Sequence, residues 1–254
     1  FKGAPLVNWL LFYPAEKLLA PVTDVLITIN KEDHALALKK LKAKRIEYVP
    51  GVGIHTEKFR EIPGLRESKR QELGYGGQDF LMLTVAEMTP NKNHITILKA
   101  MALLKARAEF ADMHYLICGR GEMWDSLEQS AKELGIAEHV HFLGYRNDAP
   151  ALYQSSDLFV FMSFREGLSV ALMEAMSSGM PIMCTKIRGN VDLIDDGISG
   201  RFCENDPEAV AKMLLEFHRD PEKRKDLGCG AARKAQQFDD KNVHRQVKEI
   251  YLSL

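Results

Sequence analysis

The sequence has no apolar run long enough to cross a bilayer. Its most apolar stretch, residues 5–20 (PLVNWLLFYPAEKLLA), is broken by Asn8, Pro14, Glu16 and Lys17. That leaves it far short of the roughly 20 apolar residues a spanning helix needs. Neither charge is in excess: 34 basic residues stand against 35 acidic ones, with no basic face or cluster to mark a nucleic-acid partner. Cysteine is scarce. Cys118, Cys184, Cys203 and Cys229 are widely spaced with no CxxC pair, two of them in strand-like runs, which fits buried free thiols in a reducing compartment better than disulfides. The eight histidines show no HExxH or similar zinc spacing. His139 and His141 alternate on an expected strand, one toward the core and one toward a loop, which makes a poor ligand pair. No Asp-x-Asp follows a strand, so no divalent ion is expected. No signal peptide, internal repeat or low-complexity run is read, and the start at FKGAP, without methionine, reads as a fragment rather than a natural start.

At 254 residues the chain can bury a large core and hold one large or two modest domains. Residues 5–20 read either as an interfacial helix touching membrane through Trp9, Phe12 and Tyr13, or as a helix packing on further protein. The flanks are too sparsely basic for firm membrane attachment, which favours packing. Residues 24–29 (DVLITI) read as a buried strand, 31–41 as a helix and 46–49 as another strand. The break Pro50-Gly51-Val52-Gly53 is the best domain boundary in the chain.

From residue 80 strand and helix alternate. Strands are expected over 80–86, 113–118, 140–143, 157–162 and 181–185. Helices are expected over 94–107, 122–134, near 149–154 and 169–178, with a short turn of helix near Asn190. The tail from Pro207 reads as three helices. This alternation implies an α/β fold with a doubly wound, Rossmann-like parallel sheet whose ligands bind outside the carboxyl ends of the strands.

The most informative stretch is 156–181, SDLFVFMSFREGLSVALMEAMSSGMP. A continuous apolar run gives a strand buried on both faces. A turn at Gly167 follows, and Ser169 is the N-cap of a helix that Gly179 and Pro181 end. Strand, glycine loop and helix N-terminus together aim backbone N–H groups and the positive end of a helix dipole at one spot, a site for phosphate. Glu166 and Glu174 flank it, placed to accept from hydroxyl groups on different parts of one ligand. Read alone, the pair is as readily an ordinary surface Glu and a partly exposed helix Glu.

Gly119-Arg120-Gly121 invites comparison with a dinucleotide fingerprint, but Trp124 stands at the third glycine and no acidic residue is marked out about 20 positions on. A nicotinamide-cofactor oxidoreductase is therefore poorly supported.

Glu166 and Glu174 with Gly167 between them match the E-x7-E signature of retaining GT-B glycosyltransferases of family 4, the group 1 glycosyltransferases. Four blocks, FREGLSVALMEAM, KIRGNVDLI, NKNH and GVGI, resemble its capsule and exopolysaccharide branch in the right order. The resemblance covers nearly the whole chain but part of the family's architecture: residues 1–52 as the end of the N-terminal acceptor domain, 53–236 as the nucleotide-sugar donor domain, and 237–254 as a helix crossing back.

The resemblance implies transfer of a sugar from a nucleoside diphosphate to an acceptor hydroxyl with retention, without metal or other cofactor. It further implies a glycan or lipid-linked glycan acceptor at the inner membrane face, and a cytoplasmic protein with room for peripheral membrane contact. It implies Glu166 on sugar hydroxyls, the N–H groups of Gly167 and Leu168 on phosphate with Ser169 in the donor site, Lys92 on the diphosphate and Glu174 on the ribose. Gly119 and Gly121 form the turn at the nucleotide edge, and Leu143, Tyr145 and Arg146 cradle the base. The family commonly has Gly-Arg where this chain has Ala86-Glu87, so Arg165 or Arg188 is expected to supply the second cationic contact. A non-catalytic nucleotide-sugar-binding module or partner subunit is the rival reading.

Overall fold

The computed structural model describes residues 6–254 of the chain. The side chain of Trp9, one of the three named for the membrane contact weighed above, lies outside what is described, as does the FKGAP start. Helix α1 (Leu6–Leu19) precedes β1 (Val25–Thr28), α2 (Lys31–Lys40) and β2 (Arg45–Tyr48), and β1 and β2 pair in parallel with Val25 opposite Arg45. Helix α3 (Leu65–Leu73) leads to β3 (Phe80–Val85), α4 (His94–Leu104), β4 (Met113–Cys118), α5 (Trp124–Glu133) and β5 (Val140–Gly144). Next come α6 (Ala149–Ser155), β6 (Leu158–Phe161), α7 (Val170–Ser177), β7 (Ile182–Thr185), α8 (Asn190–Leu193) and β8 (Arg201–Cys203). The chain closes with α9 (Pro207–Arg219), α10 (Pro221–Ala235) and α11 (Asp240–Leu252).

Strands β3 to β8 form a parallel six-stranded sheet in the order β5-β4-β3-β6-β7-β8. The apolar runs are continuous because both faces are covered. Along β3, Phe80 and Met82 join a core with α4, α5 and α9, while Leu81 and Leu83 join one with α6, α7 and α10. In β6, Leu158 and Val160 face the first core and Phe159 and Phe161 the second. The order runs outward from β3 through β4 to β5, then restarts at β6 on the other side. The crevice outside the carboxyl ends of β3 and β6 is therefore the topological switch point of the sheet.

Several elements differ from expectation. Neither α3 nor β8 is legible in the sequence: α3 (LRESKRQEL) is largely polar and β8 has three residues. The helix after β3 stops at Leu104, because a tight turn and a short 3-10 helix over Ala108–Asp112 carry the chain into β4. His139 lies in a 3-10 turn rather than on the strand; it bonds the Met113 carbonyl at 2.9 Å, while His141 meets His114 at 3.2 Å. Three cysteines are buried, but Cys229 is exposed on α10, where its small side chain faces solvent.

Helix α11 returns toward the first two strands. Ile54 N–H donates to the Phe238 carbonyl and Asp240 N–H to the Ile54 carbonyl, both at 2.9 Å, and Arg45 of β2 donates to Ser253 Oγ at 2.8 Å. On α1, Leu10, Leu11, Phe12 and Leu18 are exposed. No helix among the described residues is long and apolar enough to cross a membrane.

Candidate functional site

The loops leaving β3 and β6 meet at the switch point, and NKNH is the seam between them. Asn91 Nδ2 donates to the Arg165 carbonyl at 2.9 Å, and Phe164 N–H donates to the Asn91 carbonyl at the same distance. Asn93 adopts φ +54°, a left-handed conformation that Asn tolerates better than most residues, and its amide reaches the Met162 carbonyl at 3.2 Å. His94, with 1% of its surface exposed, places Nε2 3.2 Å from the Glu87 carbonyl and Nδ1 2.9 Å from the Tyr115 hydroxyl. The imidazole thus fixes the start of the loop that carries Lys92. Burial pushes the His94 pKa down to about 4, so the ring is neutral near pH 7.

Lys92 and Glu166, 74 positions apart, form an ion pair at 2.7 Å, and the ammonium also lies 5.0 Å from the Phe161 ring centroid. The carboxylate is 10% exposed and the lysine side chain 20%. The cation and the anion are each satisfied by the other.

Helix α7 starts beside this pair. Ser169 caps it, its Oγ accepting from Leu172 N–H at 3.3 Å, while the first amides of the helix have no intrahelical partner by construction. Glu174 lies on the same helix and accepts from the Tyr153 hydroxyl at 3.0 Å. Burial pushes its carboxyl pKa up, against the lowering effect of that hydrogen bond. The turn over 187–190 braces Gly167 from behind: Gly189 has φ +80°, and a Cβ there would stand 2.3 Å from the Gly167 carbonyl oxygen.

Arg188 and Arg165 are placed less simply than expected. Arg188 Nε donates to the Glu166 carbonyl at 3.2 Å and Nη1 pairs with Asp33 of α2 at 3.0 Å. Its guanidinium therefore ties the loop carrying Glu166 to the first two-stranded unit. Asp192 does likewise, accepting from Lys31 N–H at the start of α2 at 3.0 Å. Sequence reasoning missed this pairing because Asp33 and Arg188 are 155 positions apart and neither has a local partner pattern.

On the other side, Gly119 and Gly121 let the turn after β4 lie directly on the loop after β3. Cβ atoms there would stand 1.9 Å from the Ala86 carbonyl oxygen and 2.3 Å from that of Met88. Leu143 is partly buried at the end of β5, and Tyr145 beyond it is 72% exposed. Arg146 is engaged by Asp148, at 2.7 Å from Nε, and the guanidinium holds that carboxyl well below the usual range. Among the described residues no group of three or more His, Cys, Asp or Glu is placed to hold a metal ion.

A parallel sheet in Rossmann order, with a cation and a carboxylate at its switch point beside a capped helix, defines an α/β fold with its polar groups gathered where such folds bind ligands. Residues 66–234 match the family model described as Glycosyl transferases group 1, and the chain belongs to that family. It is 34% identical over 98% of its length to EpsD of Bacillus subtilis, provisionally named a glycosyltransferase, of which it covers 66%. It is 28% identical over 81% of its length to an Escherichia coli UDP-Gal:alpha-D-GlcNAc-diphosphoundecaprenol alpha-1,3-galactosyltransferase, covering 54% of that protein. The chain thus spans about half to two thirds of the length of these curated relatives. The solved structure of Anabaena HepE in complex with UDP and glucose superposes on all of this chain and 69% of its own, with TM-score 0.87 at 21% identity, which shows the shared GT-B fold.

Proposed function

We propose that this chain carries the donor site of a glycosyltransferase that moves a sugar from a nucleoside diphosphate to an acceptor hydroxyl with retention of configuration. The observation that carries the reading is the Lys92–Glu166 pair at the switch point, 2.7 Å apart beside the N-terminus of α7. In this reading the donor diphosphate displaces Glu166 from Lys92 and takes the amides of Gly167, Leu168 and Ser169 as well. Glu166 then accepts from the sugar hydroxyls, and Glu174 accepts from the ribose. The base lies by Leu143, Tyr145 and Arg146, at the edge formed by the Gly119–Gly121 turn.

As the bond from sugar C1 to the phosphate oxygen breaks, negative charge grows on the departing diphosphate. Lys92 and the helix amides are already oriented toward it and need little reorganisation. The acceptor oxygen forms its bond to C1 on the same face, and its proton passes to a departing phosphate oxygen. No metal is called on in this scheme. The E. coli relative's name, with its UDP-sugar donor and lipid-diphosphate acceptor, supports a uridine donor and a lipid-linked glycan acceptor. Synthesis of a bacterial surface polysaccharide on the cytoplasmic face of the membrane is the setting that fits.

Calorimetric titration with UDP tests the site. Binding to the chain is expected, and Lys92→Ala should weaken it at least tenfold, the loss of one or more charge-assisted hydrogen bonds worth about 1.5–3 kcal/mol. Equal affinities in the chain and the variant would remove Lys92 from the diphosphate.

A further inference from the structure

A second cleft, of about 590 Å³, opens beside the donor loop, and neither Lys92 nor Glu166 lines it. Three cations do: Arg165, Lys186 and Arg188. Arg188 is held rigid by the Glu166 carbonyl and Asp33. Those bonds use two of the five N–H donors of a guanidinium and leave the rest for a ligand. The Lys186 side chain is exposed; its ammonium lies over the Phe202 ring at 6.0 Å and pairs with no carboxylate among the described residues. Against these cations stand Glu32 on the wall and Asp33 behind Arg188, so the cleft stays net positive. The rest of its wall is Asn91, Ile187 and two open apolar side chains, Phe164 59% and Val191 42% exposed.

We propose that this cleft binds a phosphate group carried by the acceptor, with Lys186 and Arg188 on the phosphate oxygens and Arg165 beside them. Phe164 and Val191 cover an apolar portion of the same molecule. The inference rests on reading Lys92 and Glu166 as the donor site. The donor diphosphate already has Lys92 and the α7 amides, whereas the cleft adjoins Glu166 through its backbone, on the side of α2. A phosphate held there keeps the acceptor next to the residue assigned to the donor sugar. Arg188 thus serves the acceptor rather than being the second cation on the donor diphosphate.

The test loads the chain with saturating UDP and titrates phenyl phosphate, followed by calorimetry and by phosphorus NMR. Phenyl phosphate should bind the UDP-loaded chain, and Lys186→Gln should weaken that binding about tenfold, as expected for loss of one charged hydrogen bond, with UDP affinity unchanged within twofold. A parallel arm mixes the chain with phosphatidylcholine vesicles with or without farnesyl phosphate. Lys186-dependent flotation with the farnesyl phosphate vesicles supports the site with a lipid as the source. Phenyl phosphate binding without flotation supports it with a soluble phosphorylated acceptor. Phenyl phosphate that fails to bind the UDP-loaded chain, or that binds Lys186→Gln equally well, overturns the proposal. Failure of UDP itself to bind instead overturns the donor reading. In that case titration of phenyl phosphate alone against Lys186→Gln still decides whether the cleft holds phosphate.

Discussion

Acidification should destabilise this fold, with one separable share of the loss coming from the buried His94 imidazole. His94 is 1% exposed and its pKa is pushed from 6.5 down to about 4 by burial. Between those values the unfolded chain binds a proton that the folded chain refuses, so stability falls as pH drops through 6.5 and the loss levels off below 4. At 1.36 kcal/mol per pKa unit the full loss is about 3 kcal/mol, of which about 2 kcal/mol comes between pH 7 and pH 5. That is a large part of a typical domain stability of about 5–15 kcal/mol.

Urea unfolding at both pH values, on the chain and on His94→Gln, isolates the effect. Glutamine keeps an N–H for the Glu87 carbonyl but does not titrate. The variant should be less stable at pH 7 by about 1 kcal/mol for the imperfect replacement, yet lose about 2 kcal/mol less than the parent on going to pH 5. Other groups, among them His141, whose pKa burial also lowers to about 4, titrate in both proteins and cancel in the comparison. Parallel losses in parent and variant would refute the burial argument, and with it the neutral imidazole bracing the Lys92 loop.

Removing Arg70 should cost about 3–5 kcal/mol, measured by thermal or urea unfolding. It leaves Asp157 without its pairing at 3.1 Å and frees the Ser155 and Gly76 carbonyls that Arg70 also satisfies; a loss below 1 kcal/mol would show Arg66 carrying the pair by itself. Gly189→Ala forces a Cβ toward the Gly167 carbonyl at φ +80°, so UDP affinity should drop together with stability by about 1–3 kcal/mol, and unchanged UDP binding would mean that the brace does not set the phosphate loop. Glu174→Ala should weaken UDP binding by about 2 kcal/mol, the worth of buried hydrogen bonds to a charged group; unchanged affinity would take Glu174 off the ribose.

What the sequence determined by itself were features written in local periods. The continuous apolar runs of β3, β4 and β6, the Ser169 cap with its bond to the amide three residues on, and the glycine and proline stop after α7 all follow from side chains within a few positions. The blocks FREGLSVALMEAM and NKNH marked the two loops that meet at the switch point for the same reason, since each is contiguous. Elements whose stability comes from distant partners were not legible. Helix α3 is polar enough to read as a solvated loop, and it is held because Arg70 and Arg66 reach Asp157, 87 and 91 positions away. Strand β8 is too short to declare itself and exists because β7 offers it an edge, Met183 pairing with Arg201.

The tertiary structure decided the juxtapositions. Placing β6 next to β3 rather than beyond β5 brings Lys92 against Glu166 across 74 residues, and Arg188 finds its partner Asp33 on α2, outside that sheet. Local propensity specifies a strand or a helix, but not its neighbour. Neighbours are fixed by which faces must be buried together, and that is a property of the whole sheet.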